Sequence, residues 1–238
     1  MPATQPDLPI ILQQGTVELK GQFMLGSNYT FLVNVYHDGH ELQAVYKPSK
    51  GEQPLWDFPD HTLAHREVAA YLVSEALGWN FVPFTTLRED GPYGPGSLQQ
   101  FIEYDPNYHY FNFLDEDKAR LGPVALFDLL CNNADRKGSH VIIEDETHKL
   151  WLIDHGLCFH EQDKLRTVIW DYAGQPISDD LCETLSLLPT SQKLLTDLQP
   201  YLSPREISAL TARGASLVAS GVFPYPPEHR RAFPYPPI

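Results

Sequence analysis

The sequence changes near residue 105 from patterns typical of β-strands to patterns typical of helices, and this change constrains the fold most. Before it, short runs of β-branched and aromatic residues alternate with turns, as at 31–36 and 43–46 on either side of Asp38-Gly39. An Asp-Gly pair between two such runs is a strong hairpin signal. We therefore expect three antiparallel strands over 16–47. A helix from His61 to Leu77 and further strands over 81–88 and 97–104 should follow.

After residue 105 the apolar residues recur at helical spacing. We expect a helix over 115–131 that is interrupted near Pro123, a short hairpin over 141–153, and two or three helices over 178–220. The 238 residues thus predict one α+β chain of two lobes. The small lobe is an antiparallel sheet with one helix (1–105), and the large lobe is mainly helical (106–222).

The C-terminal residues repeat a proline-rich motif. Phe-Pro-Tyr-Pro-Pro occurs at 223–227 and again at 233–237. Two copies are too few for a repeat architecture, so residues 223–238 are predicted to form an extended tail of polyproline type.

Composition excludes several classes of partner. Lys and Arg number 17 against 31 Asp and Glu, which gives a formal net charge of -14. A chain this acidic repels phosphate, so we expect no nucleic-acid partner. No apolar run approaches the roughly 20 residues of a membrane span. The three cysteines are scattered without a Cys-x-x-Cys pair, which favours reduced thiols and a cytoplasmic location.

Two charged residues occupy positions where the pattern calls for apolar ones. Lys47 ends the strand 44–47, and Glu67 lies on the core-facing stripe of its helix. A buried carboxylate is costly unless it finds a cation, so the two are expected to form an ion pair that aims the lysine at a phosphate. The alternative is a lysine that reaches water at the sheet edge and a solvated glutamate.

Two aspartates follow apolar segments in the second half. Asp135 lies in the polar stretch 131–140, and Asp154 ends an apolar strand shortly before Gly156. Each can be part of an ordinary turn. Their order along the chain is more specific. Kinase chemistry needs a turn over the phosphates, a lysine held by a glutamate, a loop aspartate and a metal-binding aspartate, and the order of strands and helices matches the small and large lobes of a kinase.

The chain resembles the atypical kinases related to phosphatidylinositol 3- and 4-kinases, and in particular a small bacterial branch of that group. The resemblance spans residues 15–170 and rests on 45–48, 65–71, 133–137 and 153–156. It implies a two-lobe, protein-kinase-like fold and transfer of a phosphoryl group from ATP with Mg or Mn.

The resemblance also implies a role for each site residue. The phosphates of ATP are covered by Ser27 and Asn28 and held by Lys47, whose partner is Glu67. The hinge beside the adenine is formed by Gln99, Gln100, Phe101 and Ile102. The catalytic aspartate is Asp135, and the main metal ligand is Asp154.

Two positions depart from the family pattern. His140 stands where the family places an asparagine that is a second metal ligand, and Lys137 replaces a histidine. Imidazole suits softer ions than Mg, so His140 is expected to favour Mn or to slow turnover. Lys137 is expected to contact the transferred phosphate, with a solvated lysine as the alternative.

Other functions fit parts of the pattern. A pseudokinase or nucleotide-binding regulatory module would keep the fold with little turnover, and His140 supports it. A hydrolase metal site could use His140, Asp154, His155 and His160, but the adjacent pair 154–155 should point its side chains apart. The acceptor is not identified by the sequence. We expect a soluble one, because no lysine-rich cluster follows Asp154.

Overall fold

The computed structural model describes residues 7–23 and 29–238, and they form the two predicted lobes. In the small lobe, the strands of an antiparallel sheet lie in the order β1-β2-β3-β5-β4. The elements are α1 (Leu8–Gln14), β1 (Thr16–Gln22), β2 (Phe31–His37), β3 (His40–Pro48), α2 (Leu63–Ala76), β4 (Thr85–Gly91) and β5 (Gly94–Gln100). The α+β fold class is confirmed.

One face of the sheet packs against α1, which the sequence analysis did not predict. Alternate residues of β2, such as Val33 and Val35, are fully buried with Leu98 of β5. Ile11 and Leu12 of α1 complete this cluster. The seven-residue helix therefore covers an apolar face that would otherwise be exposed to solvent.

The large lobe is mainly helical, as expected. Its elements are α3 (Asp115–Lys118), α4 (Gly122–Cys131), β6 (Val141–Ile143), β7 (Leu150–Leu152), α5 (Asp179–Ser186), α6 (Gln192–Asp197) and α7 (Pro204–Ser220). The predicted cap of α7 is present, since the Ser203 hydroxyl accepts a hydrogen bond of 3.3 Å from the amide of Glu206. No helix in the described ranges is long and apolar enough to cross a membrane.

Helix α2 lies between the lobes and packs on both. Its residues Ala69, Ala70 and Val73 belong to the buried core of the large lobe. At its N-terminus, the amides of Leu63 and Ala64 donate hydrogen bonds of 3.2 and 3.1 Å to the carboxylate of Glu52. A carboxylate at this end of a helix is favourable because the exposed amides there carry partial positive charge.

The C-terminal residues 223–238 run along the surface of the large lobe. Phe223 and Ala232 are buried, whereas Tyr225 and Tyr235 are largely exposed. The segment has no helix or strand, and it is joined to the large lobe by hydrogen bonds. Its path brings residue 237 to the polar stretch 131–140.

Candidate active site

Lys47 is the centre of a cluster of charges between the lobes. Its ammonium group donates to the carboxylate of Glu67 and, over 2.9 Å, to Oδ1 of Asp154. β3 supplies the lysine, α2 the glutamate and the segment after β7 the aspartate. The ion pair that the sequence predicts is therefore present, and a third group from the large lobe joins it.

Two charges of this cluster, those of Lys47 and Asp154, stabilise each other, whereas burial raises the pKa of Glu67 above its ordinary value. Burial alone would lower the pKa of Lys47, but the carboxylates of Asp154 and Glu67 raise it above its ordinary value. Burial also works against the charged form of Asp154, yet the nearby ammonium of Lys47 holds its pKa below the usual range. Lys47 and Asp154 are thus both charged at neutral pH.

Asp154 has an unusual backbone conformation. Its φ of +61° lies in the left-handed region, which residues other than glycine rarely adopt. The next amide, that of His155, donates a 2.9 Å hydrogen bond to Glu67, so the turn is fixed on helix α2. The carboxylate remains half exposed and faces the cleft. Strained backbone of this kind tends to occur where function demands a particular side-chain direction.

His140 lies beside Asp154. Its Nε2 atom is 3.3 Å from Asp154 Oδ2. Burial lowers the pKa of His140 to about 4, so the imidazole is neutral at pH 7. A neutral imidazole nitrogen and a carboxylate oxygen side by side are a donor set that suits a divalent cation of the first transition row.

Asp135 faces the same cleft from the loop after α4. Its amide donates a 2.9 Å hydrogen bond to the side-chain oxygen of Asn133. Lys137 Nζ lies 3.5 Å from the carboxylate. Burial raises the pKa of Asp135 to about 6, although Lys137 opposes the shift. A carboxylate with this pKa is ionised at pH 7 and is a stronger base than an ordinary aspartate.

A buried arginine, which the sequence analysis missed as a site residue, holds this loop. Arg136 Nε donates to both oxygens of Asp128 in α4 over 2.9 and 3.1 Å, and both side chains are fully buried. Its other nitrogens reach the carbonyls of His140 (3.2 Å) and Ile153 (2.9 Å) and the ring of His155 (2.8 Å). The arginine therefore fixes the backbone at both candidate metal ligands. The position of Asp128 inside an apolar helix was the sequence feature that could have revealed a buried cationic partner.

A second buried arginine connects α2 to the large lobe. Arg66 donates to the Cys158 carbonyl over 2.6 Å and to the Glu206 carboxylate over 2.5 Å. Its guanidinium also lies 4.8 Å from the centre of the Phe58 ring. The neighbouring Glu67 is thereby held in place from the large-lobe side. The sequence gives no comparable signal, because Glu206 is 140 residues away.

The predicted hinge residues lie at the end of β5. Gln99 is buried and donates to the Thr85 hydroxyl over 2.8 Å, and the Phe101 amide donates to the Gln43 carbonyl over 3.2 Å. Gln100 is half-buried. The amide of the buried Ile102 has no hydrogen-bond acceptor within residues 7–23 and 29–238. A buried amide without an acceptor is uncommon in proteins and suits a ligand that accepts a hydrogen bond.

Two predicted residues cannot be placed, and one alternative loses support. Ser27 and Asn28 lie outside the described residues. The histidines of the alternative hydrolase site do not converge, since His155 faces Arg136 and His160 packs against Phe58. Within the part of the chain that the structure describes, no three His, Cys, Asp or Glu side chains form a cluster that could hold a metal.

Comparisons with known proteins find similarity in both sequence and fold. No family model matches the sequence. Protein Rv2133c of Mycobacterium tuberculosis is 37% identical over 257 residues, which cover 92% of each chain. The Helicobacter pylori proinflammatory kinase CtkA has a TM-score of 0.55 over 89% of this chain and 94% of its own. The structure of hydra Fam20 with sugar gives 0.53 over 90% and 87%. Both are 12% identical, so they establish the fold alone, and that fold is kinase-like.

We predict that Arg66→Met lowers the free energy of unfolding by about 3–5 kcal/mol, because it leaves the Glu206 carboxylate without its buried partner. The amides of α2 should exchange with solvent faster than in the unchanged protein. Denaturant unfolding and hydrogen exchange measure the two effects. Arg205→Met, at an exposed position on α7, is the matched control and should change neither. Equal stability of the two variants would contradict a structural role for the Arg66 ion pair.

Proposed function

The chain belongs to the same family as protein Rv2133c of Mycobacterium tuberculosis, and we propose that it is a metal-dependent phosphotransferase that uses ATP. We place it among the atypical kinases related to phosphatidylinositol 3- and 4-kinases, as the sequence resemblance implies. One observation carries the proposal. Four segments of a kinase-like fold bring Lys47, Glu67, Asp135 and Asp154 into a single cleft.

Lys47 is the group that binds the phosphates of ATP. It is charged, and Glu67 and Asp154 fix its direction from two sides. In a chain of net charge -14, a triphosphate needs such a local cation to enter the cleft. The amide of Ile102, which has no acceptor among the described residues, is the proposed donor to the adenine ring.

Asp154 and His140 would hold the metal. The carboxylate of Asp154 suits Mg and Mn alike, whereas the neutral imidazole of His140 favours Mn. A bound divalent cation neutralises charge on the triphosphate. Arg136 keeps both ligands in place through the carbonyls of His140 and Ile153.

Asp135 is the proposed base that accepts the proton of the acceptor hydroxyl. Its raised pKa allows it to be ionised at neutral pH and still to bind a proton during the reaction. Lys137 Nζ lies 3.5 Å from this carboxylate, and Lys137 is the proposed contact to the transferred phosphoryl group.

We propose a soluble acceptor. Three of the basic residues that could have contributed to a membrane-binding face are engaged within the protein instead. Lys164 pairs with Asp57 over 3.1 Å, and Arg230 pairs with Asp163 over 2.5 Å. Arg213 donates to the Leu130 carbonyl. Each cation near an anionic bilayer is worth about 1 kcal/mol of binding, so cations already paired contribute little.

We predict that two variants separate nucleotide binding from chemistry. Lys47→Ala should raise the Kd of ATP at least about 10-fold, because one desolvated ion contact is lost. Asp135→Asn should lower turnover about 10²- to 10⁴-fold with little change in Kd, since the base acts on the acceptor. Calorimetry and hydrolysis of radiolabelled ATP measure both.

The matched controls are Lys20→Ala and Glu89→Gln, two exposed positions in the small lobe. Full turnover of Asp135→Asn would move the catalytic role to another residue. Metal-dependent binding of ATP without any turnover by the unchanged protein would favour the nucleotide-binding module.

We also predict a pH dependence from Asp135. Its folded pKa of about 6 is above the ordinary aspartate value, so the base form is lost as the pH falls through about 6. ATP hydrolysis should therefore be constant above pH 7 and fall about tenfold for each unit below 6. Residual activity of Asp135→Asn should lack this dependence. A profile of the unchanged protein that is flat down to pH 5 would argue against Asp135 as the base.

His140 should set the metal preference. We predict that His140→Asn shifts binding from Mn towards Mg, because an amide oxygen replaces an imidazole nitrogen. Titration of each metal by calorimetry, with a non-hydrolysable ATP analogue present, measures the shift independently of turnover. His148→Asn, at an exposed histidine, is the control. An unchanged ratio of the two affinities would place His140 outside the metal site.

Vesicle binding tests the soluble acceptor. We predict that the protein does not sediment with vesicles containing phosphoinositides at low ionic strength, where electrostatic attraction is strongest. Sedimentation together with phosphorylation of the lipid would overturn the prediction.

A further inference from the structure

The second copy of the proline-rich motif lies against the loop that carries Asp135. We call residues 228–238 the strap. The Pro237 carbonyl accepts a 2.8 Å hydrogen bond from the amide of Gly138, three positions after Asp135. Gly138 is buried, and a side chain there would meet the Phe111 ring. Without the strap this buried amide would lose its acceptor.

The strap also pairs with the segment 165–168. The Ala232 carbonyl accepts hydrogen bonds from the Thr167 amide (3.1 Å) and from the Trp170 ring nitrogen (3.3 Å). Arg230 donates to the Leu165 carbonyl and to the Asp163 carboxylate, each over 2.5 Å. Together with the bond to Gly138, five hydrogen bonds over eleven residues hold the strap in one position.

On its other edge, segment 165–168 pairs with the loop itself. Arg136 and Thr167 form a parallel bridge, in which the Arg136 amide donates to the Arg166 carbonyl over 3.0 Å and the Val168 amide donates back to Arg136 over 3.2 Å. The loop, segment 165–168 and the strap therefore lie side by side in that order. The strap is the outermost one, and it returns to touch the loop at Gly138.

The position of the Asp135 carboxylate depends on this backbone. Among the described residues, the side chain pairs only with Lys137, at 3.5 Å. A long contact to a neighbour on the same loop cannot fix the loop in space. The loop itself is held by Arg136 on its inner side and by segment 165–168 and the strap on its outer side.

We propose that the strap is a positioning element of the active site, which holds the backbone of residues 133–138 so that Asp135 and Lys137 face the acceptor. The inference rests on the proposed function. The first copy of the motif is also joined to a glycine, but through its first residue, since the Phe223 carbonyl accepts from the amide of Gly174 over 2.9 Å, whereas the second copy is joined through its last residue. Two copies of one motif fasten the same chain end at two glycines.

The test uses Arg230→Glu in the full chain. The new carboxylate faces Asp163 and can no longer donate to Leu165, so the strap should detach. Arg205→Glu makes the same change of charge at an exposed position of α7. The double variant Arg230→Glu with Asp163→Arg restores an ion pair of reversed sign. Three quantities are measured for the unchanged protein and for each variant. They are the hydrogen exchange of residues 133–138 and 165–168, the Kd of ATP and the rate of ATP hydrolysis.

We expect faster exchange at Gly138 and Thr167 in Arg230→Glu, and turnover lower by about 10- to 100-fold, the usual effect of a small misplacement of a reacting group. The Kd of ATP should not change, because Lys47 and Asp154 lie outside the strap contacts. Arg205→Glu should behave as the unchanged protein, and the double variant should recover part of the loss.

Higher turnover in Arg230→Glu would overturn the proposal, since it would make the strap an inhibitor of the site. Unchanged exchange at Gly138 and Thr167 would overturn it as well. Failure of the proposed function is a separate result, seen as no binding of ATP by the unchanged protein. The exchange measurements still decide in that case whether the strap holds the loop.

Discussion

The buried ion pair between Arg136 and Asp128 is the interaction on which the candidate site depends. Two fully buried charges are costly unless every donor and acceptor is satisfied. Here the guanidinium uses its separate nitrogens for one carboxylate, two carbonyls and one ring. A lysine could not replace it, because an ammonium group lacks the planar arrangement of five donors that reaches several segments at once. One side chain thus ties α4, the loop of Asp135 and both candidate metal ligands together.

The rest of the site is arranged around opposite charges on opposite lobes. Lys47 belongs to the sheet and Asp154 to the large lobe, so their contact closes the cleft across the lobe boundary. Glu67 contacts both sides, through the Lys47 ammonium and through the His155 amide. In a protein with a large acidic excess, this arrangement places a fixed positive charge inside the cleft.

The sequence predicted the parts of the fold that depend on local periodicity. The hairpin around Asp38-Gly39, helix α2 and the cap of α7 are present within a few residues of their predicted bounds. Strand β4 begins at Thr85 and not at Phe81, because the amides of Phe81 and Val82 donate to the Ser74 hydroxyl at the end of α2. That contact depends on tertiary packing, which no local pattern reveals.

The difference between local sequence patterns and tertiary contacts also applies to the candidate site. Lys47, Glu67, Asp135 and Asp154 could be predicted because each is a polar residue at the end or on the apolar face of an element. Asp128 carries a similar signal within α4. The partners of the two buried arginines could not be found in this way, because Arg66 and Glu206 meet only once both lobes have folded together. Helix α1 was missed because seven residues are too few to show a helical period.

The attachment of α2 to the large lobe through Arg66 limits how the protein could be regulated by a conformational change. An outward movement of this helix would separate Arg66 from Glu206 and from the Cys158 carbonyl. If that movement costs about 3–5 kcal/mol, the outward state has a population of only about 0.02–0.6%. A ligand or modification would have to prefer that state by about two to four orders of magnitude to make it dominant. The resting ensemble is therefore already the assembled one, and a signal that acts by moving α2 has to supply the free energy that holds this helix on the large lobe.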